Sequence, residues 1–406
     1  MAFPHRPRGD EPEENLILNE ITRQFIRENL NADVPTLALK KTPVGTDVSL
    51  ALRQIEARQL LRKKVPEWST NDELLFPVHL SIEQCSSEAT AQYKAKLLKG
   101  NTFADLTGGL GIDSYYLSQN FSNSDYVECQ TELCDLAKHN FEVLNAPIRV
   151  INENAEAYLS HCEPKDCIYL DPARRDLHGR KTVSIADCTP NVVELQDLLL
   201  EKAKTVMVKL SPMLDISKAL GELRCVKQVH VVAVANECKE LIFNMERGFS
   251  GQAELCCVNL QTNQPELRFT QNEESDCPLK VADVVEKYLY EPNVALLKAG
   301  CFKLLCERFD ILKLHKNSHL YTSSALISDF PGRIFEVESW ADYNKKTKRD
   351  LLADAEKASI AVRNFPLSVE ELRKTLKISD GDSIYLFATT LKGERKVLLK
   401  TKKSAS

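Results

Sequence analysis

No apolar run among the 406 residues approaches the roughly 20 needed to cross a bilayer. The opening stretch MAFPHRPRGDEPEEN is charged and lacks the apolar core of a secretion signal, so a cytoplasmic protein is expected. No two of the 13 cysteines are separated by two residues, and no histidine cluster accompanies them. Three C-x4-C spacings occur (Cys129/Cys134, Cys162/Cys167, Cys301/Cys306), but none matches a zinc knuckle or ribbon, so no metal is expected. The odd count, in apolar runs such as Leu255-Cys256-Cys257-Val258, predicts buried free thiols in a reducing compartment. There is no internal repeat. A net charge of −5 excludes a polycation, yet the charge is uneven. Residues 331–406 carry 16 Lys+Arg against 11 Asp+Glu, and the remainder 37 against 47. A basic end on an acidic body points either to a polyanionic partner or to a solvated surface.

What is present begins with Phe103-Ala104-Asp105-Leu106-Thr107-Gly108-Gly109-Leu110-Gly111-Ile112-Asp113. A short apolar approach ends on a carboxylate, a glycine turn follows, and an apolar helix-compatible run comes after it. This is the pattern of a β-strand that delivers the chain to a nucleotide-sized ligand at a topological switch point. Glycine lets the backbone approach a ligand where a Cβ would collide. A dinucleotide site holds its pyrophosphate on a bare helix N-terminus. A carboxylate before the glycines repels that anion and suits a cationic ligand, such as the sulfonium and ammonium of S-adenosylmethionine (SAM). A dinucleotide oxidoreductase would also want a third glycine at position 114, where Ser114 stands.

Further strands follow at doubly wound spacing. Tyr126–Cys129 is the second, and Glu128 lies 17 residues past Gly111, near where a carboxylate commonly takes a ribose diol. The run Leu133, Leu136, Ala137, Phe141, Leu144 has helical period. Ile148–Ile151 is a third strand, with Asn154-Ala155-Glu156 in the turn after it. Asn154 is there either to touch a cofactor or to cap the next helix. Cys167–Leu170 is a fourth strand, ending at Asp171-Pro172-Ala173-Arg174-Arg175-Asp176. Thr205–Leu210, Val229–Ala235 and Leu255–Leu260 complete the series. Near-continuous apolar strands alternating with helices predict a parallel sheet buried on both faces.

The series D-L-T-G-G-L-G, E-C, N-A-E and D-P-A-R-R resembles the motifs of class I SAM-dependent methyltransferases. More closely, the chain resembles bacterial members that add small C-terminal ferredoxin-like and THUMP-like domains. Pro77–Thr90 and Lys209–Asp215 resemble that family's lead-in and post-strand segments. The likeness covers roughly residues 75–400. It implies an α/β, Rossmann-like class I methyltransferase sheet with an N-terminal helical cap and small C-terminal α+β domains. It further implies SAM as cofactor, methyl transfer, and RNA as the expected partner. The cofactor-binding residues it implies are Asp105, Thr107, Gly109, Gly111, Asp113, Glu128, Cys129, Asn154, Ala155 and Asp171. The catalytic ones are Asp171, Pro172 and Arg174.

Class I enzymes that methylate exocyclic amines use a D/N-P-P-aromatic tetrapeptide after the fourth strand. Its side chain and the first proline's carbonyl accept hydrogen bonds from the amine, which aims the nitrogen lone pair at the methyl group. Here Ala173 replaces the second proline and Arg174 the aromatic that would stack on a flipped base. A guanidinium can stack on a base or clamp a phosphate, and it can equally pair with an internal carboxylate. Gln84, Ser86 and Ser87 would line the methionine end of the cofactor or cap a helix.

The boundaries follow from composition and periodicity, and the domain identities are what the resemblance implies. Residues 1–75 form an N-terminal helical region whose first 14 residues are Pro- and charge-rich, and 76–262 the methyltransferase domain. Ser87 should cap a helix over Ala89–Lys99 that Gly100 stops. Gln261–Pro278 is a polar linker. Residues 279–328 are a small ferredoxin-like domain with two helical runs and one short strand. Residues 329–406 are THUMP-like, with a strand Arg333–Val337, helices near Ala355–Asn364 and Ser368–Leu376, and strands Ser383–Thr389 and Lys396–Leu399. Two other functions fit these features: a non-catalytic RNA-binding protein that retains the fold, and a methyltransferase acting on a protein or small molecule.

Overall fold

The computed structural model describes residues 18–77, 85–173, 184–344, 346, 351–352, 356–381 and 383–404. The described chain divides into two compact units. One comprises the residues up to Ala173 together with Asp197–Val206, and the other the remainder.

The first unit opens with helices α1 (Glu20–Asn29), α2 (Val34–Leu37), α3 (Val48–Leu61) and α4 (Pro66–Thr70). Asn19, Asp33 and Asp47 cap the first three by accepting a backbone N–H three residues on. After α5 (Glu88–Ala95) the alternating series begins: β1 (Thr102–Asp105), α6 (Ile112–Ser118), β2 (Asn123–Glu128), α7 (Thr131–Val143), β3 (Ile148–Asn152), α8 (Ala155–His161) and β4 (Lys165–Leu170). Strand β1 pairs in parallel with β2 and with β4, and β2 with β3, giving the order β3-β2-β1-β4. This is the crossover pattern the sequence predicts, and all the strand ends point the same way.

The N-terminal helices are built into this unit. Ala57, Leu61, Val65, Trp68 and Phe76 share a core with Leu110, Ile112, Tyr126 and Phe141. Arg58 is buried and donates to the carbonyls of Ser69, Asn71, Asp72 and Leu74. Burial lowers its pKa to about 10, still well above neutrality. Gln54 makes a two-way amide pair with the Phe76 backbone, and Asn140 on α7 does the same with Leu75. These bonds pin the chain just before the lead-in to the glycine turn.

Strand β5 (Ala203–Leu210), which follows α9 (Val192–Lys202), straddles the division between the units. In the second unit, α10 (Ile216–Glu222) leads to β6 (Val226–Val234), β7 (Glu237–Glu246), β8 (Glu254–Leu260), β9 (Leu267–Thr270) and α11 (Gln271–Asp276). Here the all-parallel expectation fails. Strand β7 is antiparallel to β6 and β9 to β8, while β6 and β8 run parallel. The hairpin between β6 and β7 turns through Ala235 and Asn236, both at positive φ (48° and 66°), as a type I′ turn requires.

The supposed linker 261–278 is also structured. It contains β9 and α11, and α11 opens with a capping box between Thr270 and Glu273. Glu274 accepts the backbone N–H groups of Phe302, Lys303 and Leu304, and Arg308 donates to Arg268 O and to Glu273.

The remaining elements are β10 (Tyr288–Pro292), α12 (Val294–Ala299), α13 (Leu304–Arg308), β11 (Leu312–His315), β12 (Ser318–Ser323), β13 (Gly332–Asp342), β14 (Ser359–Arg363), α14 (Val369–Leu376), β15 (Tyr385–Thr390) and β16 (Lys396–Lys403). Their strands form one seven-stranded sheet, β11-β12-β10-β13-β16-β15-β14. The flanks of this sheet meet through side chains: Ser318 bonds Thr389 at 3.0 Å, and Asn364 donates to His315 Nδ1 at 3.0 Å. Residues 359–363, expected within a helix, are a strand parallel to β15. Segment 279–328 holds three strands where one was expected.

Helix α12 packs on β6 and β8, with Cys257 Sγ donating to Ala295 O at 3.6 Å. A chain ended at Pro278 would lose α12 and the partners that Glu273 and Glu274 of α11 find at Arg308 and at Phe302–Leu304. It is expected to be insoluble, or to lose its cooperative thermal transition, as expression and melting of the truncated chain would show.

Candidate functional site

The site grows from the ends of β1, β2 and β4. Asp105 closes β1, aligned with Tyr126 on one side and Tyr169 on the other. Its carboxylate is buried and accepts from Thr107 N–H at 2.9 Å, Thr107 Oγ1 at 3.3 Å and Ser114 Oγ at 2.5 Å. Burial pushes its pKa up to about 7. The bonds from Ser114 and Thr107 pull it down, and the charges of Asp113 and Asp171 push it further up. The Thr107 hydroxyl accepts the N–H of Asp171 at 2.6 Å, which ties the exit of β4 to the exit of β1. Asp171 is partly buried.

The glycine turn is shaped by what lies under it. A Cβ on Gly108 would lie 2.2 Å from the Tyr126 ring, which is fully buried. Gly111 sits at φ +84°, and a Cβ there would meet Phe141 at 2.9 Å. Gly109, at φ +53°, has room for a Cβ, which would meet nothing nearer than Thr107 O at an ordinary contact of 3.8 Å. Gly108→Ala is therefore expected to cost about 3 kcal/mol by overpacking a core that cannot yield. Gly109→Ala should cost about 1 kcal/mol of backbone strain alone. Urea unfolding of the two variants checks the ranking.

Glu128 closes β2. One carboxylate oxygen accepts Gly109 N–H at 3.0 Å and the other Gln130 N–H at 3.0 Å. The second oxygen also receives Cys129 Sγ and Gln130 Nε2, so the oxygen facing Gly109, with one donor, is the one that keeps room for a hydroxyl. Cys129 is exposed, its Sγ 3.4 Å from Glu128 Oε1. Asn154 lies exposed at the start of α8 and caps it, accepting Ala157 N–H at 2.8 Å, while Ala155 is buried.

Asp113, expected at the cofactor, sits in the first turn of α6. Ser86 Oγ and Tyr169 Oη donate to it at 2.7 and 2.6 Å, and Lys94 Nζ forms an ion pair with it at 3.1 Å. Ser87 resolves as a cap, accepting Thr90 N–H at 3.3 Å, and α5 spans Glu88–Ala95 rather than Ala89–Lys99. Lys94 is the participant that sequence reasoning missed; nothing within its own helix marks it. Pro172 is described and buried. Gln84, Arg174 and Arg175 lie outside the described residues, as do Lys345, Lys348 and Arg349 of the basic end.

The basic tail is largely paired within its own unit. Lys392 meets Asp283, Arg395 meets Asp342, Lys396 meets Glu394, Lys400 meets Glu338 and Lys402 meets Glu336. Among the described residues no cluster of three or more His, Cys, Asp or Glu is placed to hold a metal, and no helix is long and apolar enough to cross a membrane.

A parallel β3-β2-β1-β4 sheet with a glycine turn after β1 and a carboxylate closing β2 is the doubly wound nucleotide-binding arrangement, and the carboxylate closing β1 suits the cationic cofactor of class I methyltransferases. The chain matches a ferredoxin-like domain model over residues 288–331 and a THUMP domain-like model over 332–403. It is 35% identical to a crystal structure from Porphyromonas gingivalis W83 assigned as a methyltransferase, covering 95% of this chain and 98% of that one at a TM-score of 0.85. Two further similar chains are an rRNA methylase from Streptococcus thermophilus (12% identity, 39% and 93% covered, TM-score 0.30) and the Pyrococcus abyssi tRNA (uracil-54, C5)-methyltransferase with S-adenosyl-L-homocysteine (15%, 43% and 40%, 0.28). No curated protein matches at a significant level. The chain belongs to the family of class I SAM-dependent methyltransferases that carry C-terminal ferredoxin-like and THUMP-like domains. The two matched domains share a sheet: β10 to β12 come from the first and β13 to β16 from the second.

Proposed function

We propose that the protein methylates RNA in the cytoplasm, at a base nitrogen received by Asp171 and Pro172. The observation that carries this reading is the bond from Asp171 N–H to Thr107 Oγ1, which joins the glycine turn to the acceptor tetrapeptide. In this reading Glu128 takes the ribose diol, Gly109 leaves room for the nucleoside, the left-handed turn at Gly111 brings its backbone to the cofactor, and Asp105 faces the positive end of the cofactor. When bound, SAM supplies an electrophilic methyl on a sulfonium. The room at Gly109 and the three carboxylates Asp105, Glu128 and Asp171 fit a cationic nucleoside. Asp171 holds the acceptor amine so that its lone pair points at that methyl. Residues 76–262 serve as the catalytic domain behind the 1–75 helical region. Residues 279–328 and 329–406, as ferredoxin-like and THUMP-like parts, present the substrate. Arg174 belongs to this reading as a base-stacking or phosphate-clamping group.

RNA as the acceptor is supported by the THUMP-like match and by the basic surplus after residue 330. Most of the tail's ion pairs are exposed and contribute little to stability, so they cost little to break for a phosphate. A protein or small-molecule acceptor is the second reading, and the same carboxylate pairing of tail cations favours it. Mass spectrometry of nucleosides in total RNA from a deletion strain should show one methylated nucleoside missing, restored by the purified protein with SAM. Binding to structured RNA should weaken as salt rises, with a log–log slope of about 0.7–0.9 per phosphate neutralised. An unchanged nucleoside profile together with salt-independent binding would favour the second reading.

A further inference from the structure

Lys94 is fully buried, yet it sits on a helix outside the motif series. Its ammonium is 3.1 Å from Asp113 Oδ1 and 3.0 Å from Ser86 Oγ. The other Asp113 oxygen receives both Ser86 Oγ and Tyr169 Oη. A buried cation of this kind is costly unless paired, and an apolar residue of similar size would serve packing as well. What the cluster adds is connection. Ser86 begins the segment leading into α5, and Asp113 lies two residues past Gly111. Tyr169 is aligned with Asp105 and lies two residues before Asp171. The Tyr169 carbonyl also accepts Leu106 N–H at 3.0 Å, on the step from β1 into the turn.

We propose that Lys94 is a positioning residue of the cofactor pocket, acting through Asp113 to hold the glycine turn in register with the exits of β1 and β4. This rests on the reading of that turn as the SAM site. It makes Asp113 an anchor of the pocket wall rather than a cofactor contact. The Lys94 ammonium holds the Asp113 carboxylate in place, and the carboxylate in turn fixes the first turn of α6. Loosening it lets the glycine backbone drift from the position that Thr107 and Glu128 set.

The test is a double-mutant cycle read by calorimetric binding of SAM to the full chain, with melting temperatures recorded alongside. Lys94→Met and Asp113→Asn are each expected to weaken SAM binding by about tenfold, the scale of one buried charged contact. If Lys94 acts through Asp113, the double variant binds no more weakly than Asp113→Asn alone, because coupled residues are not additive. It should also melt above Lys94→Met, having no unpaired buried charge. Wild-type SAM affinity in Lys94→Met, or single effects that multiply in the double variant, would overturn the proposal. Should Lys94→Met not fold, Tyr169→Phe removes one hydroxyl and no charge. It is expected to weaken SAM about threefold at an unchanged melting temperature, and wild-type affinity there overturns the proposal as well. No SAM binding by the wild-type chain would instead sink the reading of the site itself.

Discussion

Asp171→Ala is expected to bind SAM within about threefold of wild type while methyl transfer falls about a thousandfold, the range for removing a group that aims the reacting atom. The asymmetry follows from its place. The backbone N–H of Asp171 is committed to Thr107, so the turn keeps its shape when the side chain is cut back. The carboxylate is partly buried at the exit of β4, where an acceptor would arrive. Asp171→Asn keeps an oxygen able to accept an amine N–H and should retain more of the rate than alanine does. Calorimetry gives the affinities. Single-turnover transfer of a labelled methyl group to RNA from a deletion strain gives the rates. Equal damage to binding and transfer would move Asp171 to the cofactor side of the reaction.

The strand ends and the glycine turn that carry the candidate residues were legible because they are local. Asp105, the glycines and Glu128 stand at strand ends, and the apolar runs before them announce those strands. The structure adds reasons for the glycines that no single sequence discloses. Gly108 is excluded from bearing a side chain by Tyr126, eighteen residues away, and Gly111 by Phe141. Ser87 was readable as a cap because capping is decided within one turn. Lys94 was not readable, because its partner Asp113 comes from another helix and Tyr169 from a strand still further on.

The fold was readable where strands alternate with helices and less so where hairpins replace them. The turn between β6 and β7 uses Ala235-Asn236 in place of Asn-Gly, so the antiparallel partner hides within a polar stretch. The run Ser359-Ile360-Ala361-Val362-Arg363 is short and half-buried, and flanking alanines made it look helical; its pairing with β15 decides the matter. The supposed linker carried a visible capping box at Thr270 and Glu273, outweighed in the reading by its polarity.

Asp105→Asn is expected to be more stable than wild type at pH 8 and equal to it near pH 4. Burial lifts the carboxyl from its ordinary 3.8 to about 7 in the folded protein. A raised carboxyl pKa means the folded state holds its proton more tightly than the unfolded chain does. That contribution is complete below pH 4 and is lost as pH rises through 7. At one pKa unit per 1.36 kcal/mol, ionising it inside the fold costs about 4 kcal/mol at pH 8, and the amide avoids this cost. Asparagine can still accept from Thr107 N–H, although it turns an N–H group toward Ser114. SAM binding should move in the opposite direction. A sulfonium beside Asp105 favours the ionised form, so wild-type affinity should rise by up to about tenfold per pH unit between pH 5 and 7 and level off above. S-adenosylhomocysteine, which has a neutral sulfur, should show a shallower rise, and Asp105→Asn should bind SAM weakly with little pH dependence. Urea melts at pH 5 and 8 and calorimetry of both ligands across that range would measure the two opposing trends. A pH-independent SAM affinity in the wild type would place the sulfonium away from Asp105.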